Sequence, residues 1–471
     1  MNRIRVFSFR LLATWLAAPA LLLAGQAANR PNVLMIIVDD MNHYGFHDTY
    51  PGIQLPHLDA LKQQSITFSH AYCAAPVCGP SRAAVFSGIA PHRTGAYLNG
   101  ADPWRQAPLN RTESLVELFQ RSGYLTFGNG KVFHAKLDDG RLEKMFSNKP
   151  YAGGFGPFMP EGEEKPIPGD RFWIAEPWDG PDEDFPDVRN LHSTQEFLAR
   201  EHEEPFFAVL GLWRPHTPFT APRRFFDLYD EDSMPLPPGY REDDLEDVPP
   251  EGHRLSRIWG KRWDLTGASD PDAWRHMLWG YAAAHSFADW TVGQAVEALD
   301  KSRYAKNTIV IIWSDNGYHM GEKNHFEKAT VWEMSARTPM LLRLPGNKNG
   351  GTLCERPVNS IDIFPTLVEA CGLEHPGQNP DGASLVPLLE NPFREWNRPA
   401  LTCYGEGIIS VRSERFRYIR YPDGTEELYD HATDPNEWKN LAGDPGYKAV
   451  VDSLRAWLPL RYAPSLGGRN G

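Results

Sequence analysis

From Asn32 to Val38 the chain reads Asn-Val-Leu-Met-Ile-Ile-Val, with no polar alternation, and then breaks into Asp39-Asp40. An unbroken apolar, β-branched run is the pattern of a strand covered on both faces, as in parallel sheets enclosed by helices. Two adjacent carboxylates at the end of such a strand are costly to bury unless something positive holds them. In open α/β sheets that carboxyl edge is also where ligands bind. A hard cation satisfies both conditions. The simpler alternative is a pair of capping aspartates for the next turn.

Three further runs repeat the arrangement. Pro205 to Trp213 is a buried strand followed by Arg214-Pro-His216, and Thr308 to Ser314 is another, followed by Asp315-Asn316-Gly317. Tyr124 to Phe127 is a short strand that gives way to Gly-Asn-Gly130, Lys131 and His134. If these strands are parallel, all four polar clusters lie on one edge. Helical patterns separate them: Leu55–Ser65, with Leu58, Leu61 and Ile66 on one side, Thr112–Arg121, stopped by Gly123, and Ala273–Leu299, with Tyr281, Phe287, Val292 and Val296 inward. Between Ala135 and about Glu204 the periodicity fades into Gly, Pro, Trp and acidic residues, which reads as a binding rim. His319, Glu322, His325 and Lys328 crowd the loop after Asp315. The absence of ligating thiolates and the irregular spacing argue against zinc there.

Cys78 lies among these segments, in Pro76-Val-Cys78-Gly-Pro80-Ser-Arg82, and Gly88 closes the apolar stretch that follows. Pro80 suits a first helical turn and Gly88 a helix stop, so Cys78 falls at a helix N-terminus, where anions are attracted. A reactive, low-pKa thiol and an inert buried one both fit this position.

The length of 471 residues allows two or three domains, or one large domain with an appendage. Residues 1–27 read as an export signal: Arg3, Arg5 and Arg10, an apolar Leu11–Leu23, then Gly25-Gln-Ala27. A retained anchor is the alternative, but the run is short for a span and holds Pro19. The net charge of −13 excludes nucleic-acid binding through a general basic footprint, so an anionic substrate must meet a local cluster of cations or a metal. Five cysteines, at 73, 78, 354, 371 and 403, are too few for a disulfide scaffold, and the odd number leaves a thiol over. Beyond about residue 395 the character changes. Ile408–Val411, Phe416–Tyr421 and Glu427–Tyr429 read as antiparallel strands, with Pro-Asp-Gly424 as a hairpin turn and Tyr447–Leu458 as a last helix. The fold expected is α/β, a large, mostly parallel sheet between helices, occupying 28–393, with a small antiparallel α+β subdomain at 394–471. The clusters together describe a hydrolase of phosphate- or sulfate-type esters.

Cys78-Gly-Pro-Ser-Arg82 with Gly88 closely resembles the sulfatase signature, and Gly123–His134 resembles the second signature of that family. Ser87, where Thr is more usual, is a mild departure. Lys131-Val-Phe-His134, Trp-Arg-Pro-His216 and the Pro-rich loop near Pro235 are most similar to the iduronate-2-sulfatase type, within the alkaline-phosphatase-like superfamily. The resemblance implies that a formylglycine-generating enzyme converts Cys78 to formylglycine, whose hydrated aldehyde is the nucleophile. It implies one Ca2+ held by Asp39, Asp40, Asp315 and Asn316, with residue 78 completing the shell. Asn316 stands where animal iduronate sulfatases have His, and its amide still offers an oxygen. Arg82 would polarise the nucleophile, and Lys131 and Lys328 would stabilise charge on sulfate. His216 would protonate the leaving alcohol and His134 take a proton, with the two histidine roles exchangeable. The implied substrate is a sulfated carbohydrate met outside the cytoplasm, periplasmic or secreted, with no nucleic acid and no stable membrane insertion after signal cleavage. Trp104, Trp173, Trp178, Trp259 and Trp263, in irregular segments, are candidates for stacking on sugar rings, and Arg and Lys within 136–275 for reading a uronate or neighbouring sulfate. The alternatives are a phosphodiesterase or phosphonate hydrolase of the same superfamily, a non-catalytic glycan-binding relative, and a plain thiol enzyme.

Overall fold

Seven strands form the main sheet: β1 (Asn32–Asp39), β2 (Ile66–Phe68), β3 (Leu125–Gly130), β4 (Phe206–Pro215), β5 (Thr308–Ser314), β6 (Met340–Arg343) and β7 (Thr352–Cys354). The computed structural model describes residues 30–100, 102–134, 140–148, 154–160, 166–167 and 169–467. The export signal expected at 1–27 lies outside them. In space the order is β7-β2-β6-β5-β1-β4-β3, and β6 alone runs against the others. Thus β1, β3, β4 and β5, which carry the polar clusters, are parallel and adjacent, as expected.

The continuous apolar run of β1 is explained by its two faces. Val33, Met35 and Ile37 pack into one core, and Leu34, Ile36 and Val38 into another on the opposite side of the sheet. The helices that pack on the two sheets include α1 (Pro56–Lys62), α2 (Cys78–Ser87), α3 (Leu115–Arg121), α4 (Pro186–Ala199), α5 (Pro271–Lys301), α6 (Ile363–Ala370) and α7 (Lys448–Arg455). Residues of α2, α3 and α6 fill the first core, while α1, α4 and α5 fill the second. Tyr281, Phe287, Val292 and Val296 of α5 are all buried.

The sequence reading needs correction in four places. Ile66 starts β2 rather than ending α1, and β3 runs on to Gly130 instead of stopping at Phe127. Helix α3 begins at Leu115, because Ser114 and Glu117 close a capping box there. The stretch to Glu204 is not irregular throughout, since α4 occupies fourteen residues of it. Its apolar period is masked by buried polar side chains. Asp187 accepts the Trp213 and Arg214 N–H groups of β4 at 2.8 and 3.0 Å, and Asn190 and Thr194 are buried with it.

Helix α1 is capped from outside its own sequence. Asp289 of α5 accepts the His57 and Leu58 N–H groups at 3.1 and 2.7 Å. Burial pushes the Asp289 carboxyl up to about 7, against the lowering effect of these two bonds. The folded state therefore binds this proton more tightly than the unfolded chain. The stabilisation is complete below about pH 4 and fades as pH rises through about 7. Urea unfolding across that window should show the wild type losing stability relative to Asp289→Asn as pH rises. A difference that is flat with pH would refute the assignment.

The C-terminal sheet is antiparallel throughout: β8 (Ala400–Cys403), β9 (Ile409–Arg412), β10 (Phe416–Arg420) and β11 (Glu426–Asp430). Of these, β8 is not evident from sequence. Helix α7 lays Val451 and Leu454 on Val411, Tyr418 and Leu428. A buried ionic network joins this sheet to the main body. Arg417 pairs with Glu333 and Glu437, Tyr72 donates to Glu333 at 3.2 Å, and His431 meets Glu437 at 2.9 Å. With Arg412 and Arg337 also 3.6 and 3.7 Å from Glu333, the acids of this cluster are already neutralised and do not call for a metal. All five cysteines are buried and free. No helix among the described residues is long and apolar enough to cross a membrane.

Candidate active site

The parallel strands deliver their carboxyl ends to one place. There β1 ends in Asp39 and Asp40, β3 runs into Lys131 and His134, β4 into His216 and β5 into Asp315 and Asn316, while α2 contributes Cys78 and Arg82. Asp39, Asp40 and Asp315 offer oxygens that all lie within 4.8 Å of one another, and Asp39, Cys78 and His216 form a second such group. All of these side chains are buried except His134, which is exposed at the rim, and His216, which is 15% exposed.

Local irregularities aim the side chains. Ile37 faces Gly211, but Asp39 faces Pro215, so β4 carries two extra residues beside the end of β1. Such a bulge redirects the strand, and here it brings His216 Nε2 to 3.5 Å from Asp40 Oδ2. His216 Nδ1 lies 2.5 Å from the Thr217 carbonyl oxygen. That contact makes Nδ1 the protonated nitrogen and leaves Nε2 towards the site. Asp40 has φ 60°, and Glu327 and Ala329, on either side of Lys328, have φ 74° and 68°. Non-glycine residues there cost about 1–3 kcal/mol each and persist where their surroundings over-determine them. The Tyr281 hydroxyl donates to the Asp40 carbonyl at 2.7 Å, and the Asp40 N–H to Asp315 Oδ1 at 3.2 Å.

Three cations oppose the three carboxylates. Lys328 Nζ donates to both Asp40 oxygens, at 2.5 and 2.7 Å, and to Cys78 Sγ at 2.9 Å. Lys131 pairs with Asp39, and Arg82 Nε donates to Asp315 at 2.7 Å. Burial alone would raise the Asp39 carboxyl, but Lys131, Arg82 and Lys328 outweigh it and hold it at about 2. Burial wins at Asp315, which is raised despite Arg82. Both lysines are raised, since Asp39 for Lys131 and Asp40 for Lys328 overcome the desolvation that lowers them. His134 and His216 are held well below the usual imidazole range, first by burial and then by nearby lysines, so both are neutral here. Burial, with Asp39 adding to it, pushes the Cys78 thiol up to about 12. A thiol of that kind is protonated at neutral pH, which weighs against direct thiolate catalysis.

Two side-chain oxygens in the cluster, Asp39 Oδ1 of a carboxylate and Asn316 Oδ1 of an amide, receive no hydrogen bond, and Arg82 Nη2 donates none. A buried, all-oxygen set with open acceptors is the donor chemistry of a hard divalent cation, so the residues present fit such an ion. His319 and His325 behave differently. Their ring nitrogens are all engaged by nearby backbone carbonyls or by Thr330, which leaves nothing for zinc.

The catalytic and metal-ligand candidates from the sequence thus gather at one edge of the sheet, with His134 at its exposed rim. Some contributors were not legible. Asn99 Oδ1 accepts the Gly79 N–H at 3.0 Å, fixing the peptide next to Cys78. The rings of Phe155 and Trp213 stand 5.3 and 5.2 Å from Lys131 Nζ. Neither Asn99 nor Phe155 sits in a motif. Of the five tryptophans considered for sugar stacking, Trp173 is fully buried with its indole N–H on Thr266, and Trp104 is 5% exposed.

A doubly covered parallel sheet whose carboxyl edge balances acids against lysines and arginine around one helix mouth defines a hydrolase for tetrahedral oxyanion esters. The family model for sulfatases matches residues 31–373, and that for the C-terminal part of N-sulphoglucosamine sulphohydrolase matches residues 321–461. The chain belongs to the sulfatase family, hydrolases acting on sulfated substrates. A sulfatase of Formosa agariphila is 36% identical over 452 residues, covering 92% of this chain and 87% of that protein. The choline-sulfatase of Rhizobium meliloti is 28% identical (93% and 87% covered), and the iduronate 2-sulfatase of Mus musculus 26% identical (95% and 97% covered). Among solved structures, the phosphonate monoester hydrolase of Agrobacterium radiobacter superposes with TM-score 0.72 at 22% identity, covering 91% of this chain and 96% of that one.

Proposed function

We propose that this protein is an exported sulfatase that removes sulfate from a sulfated saccharide, in the manner of the iduronate-2-sulfatase type. Residue 78 would act as formylglycine, beside a Ca2+ held by Asp39, Asp40, Asp315 and Asn316. The observation that carries the reading is the surrounding of Cys78: a protonated, buried thiol, 2.9 Å from Lys328 Nζ, at the meeting point of every strand-end cluster. The catalytic unit is read as 28–393 and the subdomain as 394–471.

The charges support an anionic ester. Asp39, Asp40 and Asp315 balance Lys131, Lys328 and Arg82. A bound divalent ion would leave an excess of positive charge that the single negative charge of a sulfate ester partly offsets, and it would supply Lewis-acid polarisation of the oxygens beside it. Hydrated formylglycine would supply a diol, one hydroxyl of which takes the sulfuryl group, while loss of the other's proton releases sulfate and restores the aldehyde. Lys131 and Lys328, dry and already oriented, hold the non-bridging sulfate oxygens. His216 Nε2 faces the place where the leaving oxygen would sit. Burial holds it neutral, and the arriving anion favours the imidazolium needed to protonate that oxygen. His134, beside Gly79, accepts the diol proton, and the two roles exchange where the alcohol part lies on the His134 side.

The similarity to a phosphonate monoester hydrolase keeps one alternative in view, a hydrolase of phosphodiesters or phosphonate monoesters on the same fold. Three measurements on one preparation decide. The mass of the peptide containing residue 78 should show formylglycine, and an aryl sulfate should be hydrolysed faster than an aryl phosphodiester, with both activity and melting temperature falling after prolonged chelation. An unmodified thiol in fully active protein, or faster phosphodiester turnover, would overturn the reading.

A further inference from the structure

Beside α2 a cavity of about 460 Å3 opens against the reaction centre. Its size is in the range of pockets that enclose a ligand of one or two rings. Gly79 and Arg82 of α2 form one wall and His134 another, so an ester with its sulfur at residue 78 would have room for its alcohol part in this space, with His134 then the histidine beside the leaving oxygen. The third wall is the arc that ends in Trp104 and Arg105.

That arc is rigidly built. Asp102 Oδ1 accepts the Trp104 N–H at 3.0 Å and opens the short helical turn Pro103–Arg105. The Trp104 ring meets Phe133 edge-on at 5.6 Å. Asp102 Oδ2 lies 3.2 Å from Arg105 Nε and orients a guanidinium that is 52% exposed at the rim. In a chain of net charge −13, the described lining holds two arginines and one carboxylate.

The aromatic faces nearby are already taken by cations. Arg141 stands 5.1 Å over Trp104, while Lys131 faces both Phe155 and Trp213. Recognition of a quaternary ammonium needs open aromatic faces, and next to Arg82 and Arg105 such a group would be repelled. The site therefore disfavours a cationic alcohol of the choline kind, although a choline-sulfatase is among the relatives.

We infer that this cavity takes the alcohol part of the ester, that this part is a saccharide bearing a further anionic group, a carboxylate or second sulfate, and that Arg105 reads that group. The inference rests on the sulfate-ester reading and adds its substrate class. It also places the reading residue outside the 136–275 stretch considered from sequence.

The test uses the matured full-length enzyme and inhibition of aryl-sulfate hydrolysis by a sulfated uronate disaccharide. Its carboxyl-reduced and its singly desulfated counterparts are run beside it, with choline sulfate as a substrate. One of the two removals should weaken inhibition by about 10–100-fold, the range of a charge-assisted hydrogen bond, and which one names the group. Arg105→Ala should erase that differential and Arg105→Lys keep part of it, with the change falling on inhibition and KM more than on kcat. Indifference to both removals, a differential that survives Arg105→Ala, or choline sulfate turned over better than the saccharide would each overturn the inference. If the matured wild type hydrolyses phosphodiesters and no sulfate ester, the underlying reading falls too. Sulfate turnover that is blind to Arg105 removes only this proposal.

Discussion

Replacing Cys78 by Ala is expected to abolish turnover, by at least about four orders of magnitude in kcat, while the protein stays folded. Loss of a nucleophile on this scale is general, because what remains is only binding and electrostatic help. The stability side follows from the packing. Cys78 is fully buried with its Sγ touching Lys328 and, at 3.9 Å, Asp40, and both partners keep each other after truncation. The structural cost is then a small void, about 1 kcal/mol. Circular dichroism, melting temperature and single-turnover kinetics of the variant check both halves. Residual activity within a hundredfold of wild type would mean that another group attacks sulfur, and the assignment of residue 78 would have to be abandoned.

The second large effect lies at the junction with the C-terminal sheet. Arg417 is fully buried between Glu333 and Glu437, and its Nη1 also donates to the Val331 carbonyl at 3.1 Å and Ser410 Oγ at 2.6 Å. Removing one partner of a buried pair leaves an uncompensated charge, at about 3–5 kcal/mol. Arg417→Ala should lose that much in denaturant unfolding. Arg415→Ala, which breaks a pair whose arginine is 56% exposed, should lose about 1 kcal/mol or less. Equal losses would show that the junction is held by its apolar contacts and not by the network.

The edge that carries the site was legible because burial on both faces leaves a plain mark in sequence. Runs such as Val33–Val38 and Ile309–Trp313 are uninterrupted, so the first polar residues after them stand out. Helix α4 was hidden for the opposite reason: its inward face is partly polar and satisfied by β4. The wall around Lys131 was hidden as well, since Phe155 gains its role only where the fold lays it over β4. Tryptophan is ambiguous in the same way. Trp173 and Trp104 occupy equally irregular sequence, yet one is core and the other backs a cavity.

The order of strands in the sheet also sets a clock. The contacts that close the site join residues far apart along the chain, by 92 positions for Lys131 with Asp39, 275 for Asp40 with Asp315 and 288 for Lys328 with Asp40. Pairings this distant form late. At ordinary rates of synthesis, residue 328 follows residue 78 by on the order of ten to fifty seconds. Throughout that interval the Cys78 thiol is open to any enzyme that waits at the nascent chain. Once β5 is in place and Lys328 has closed over it, the same thiol is sealed.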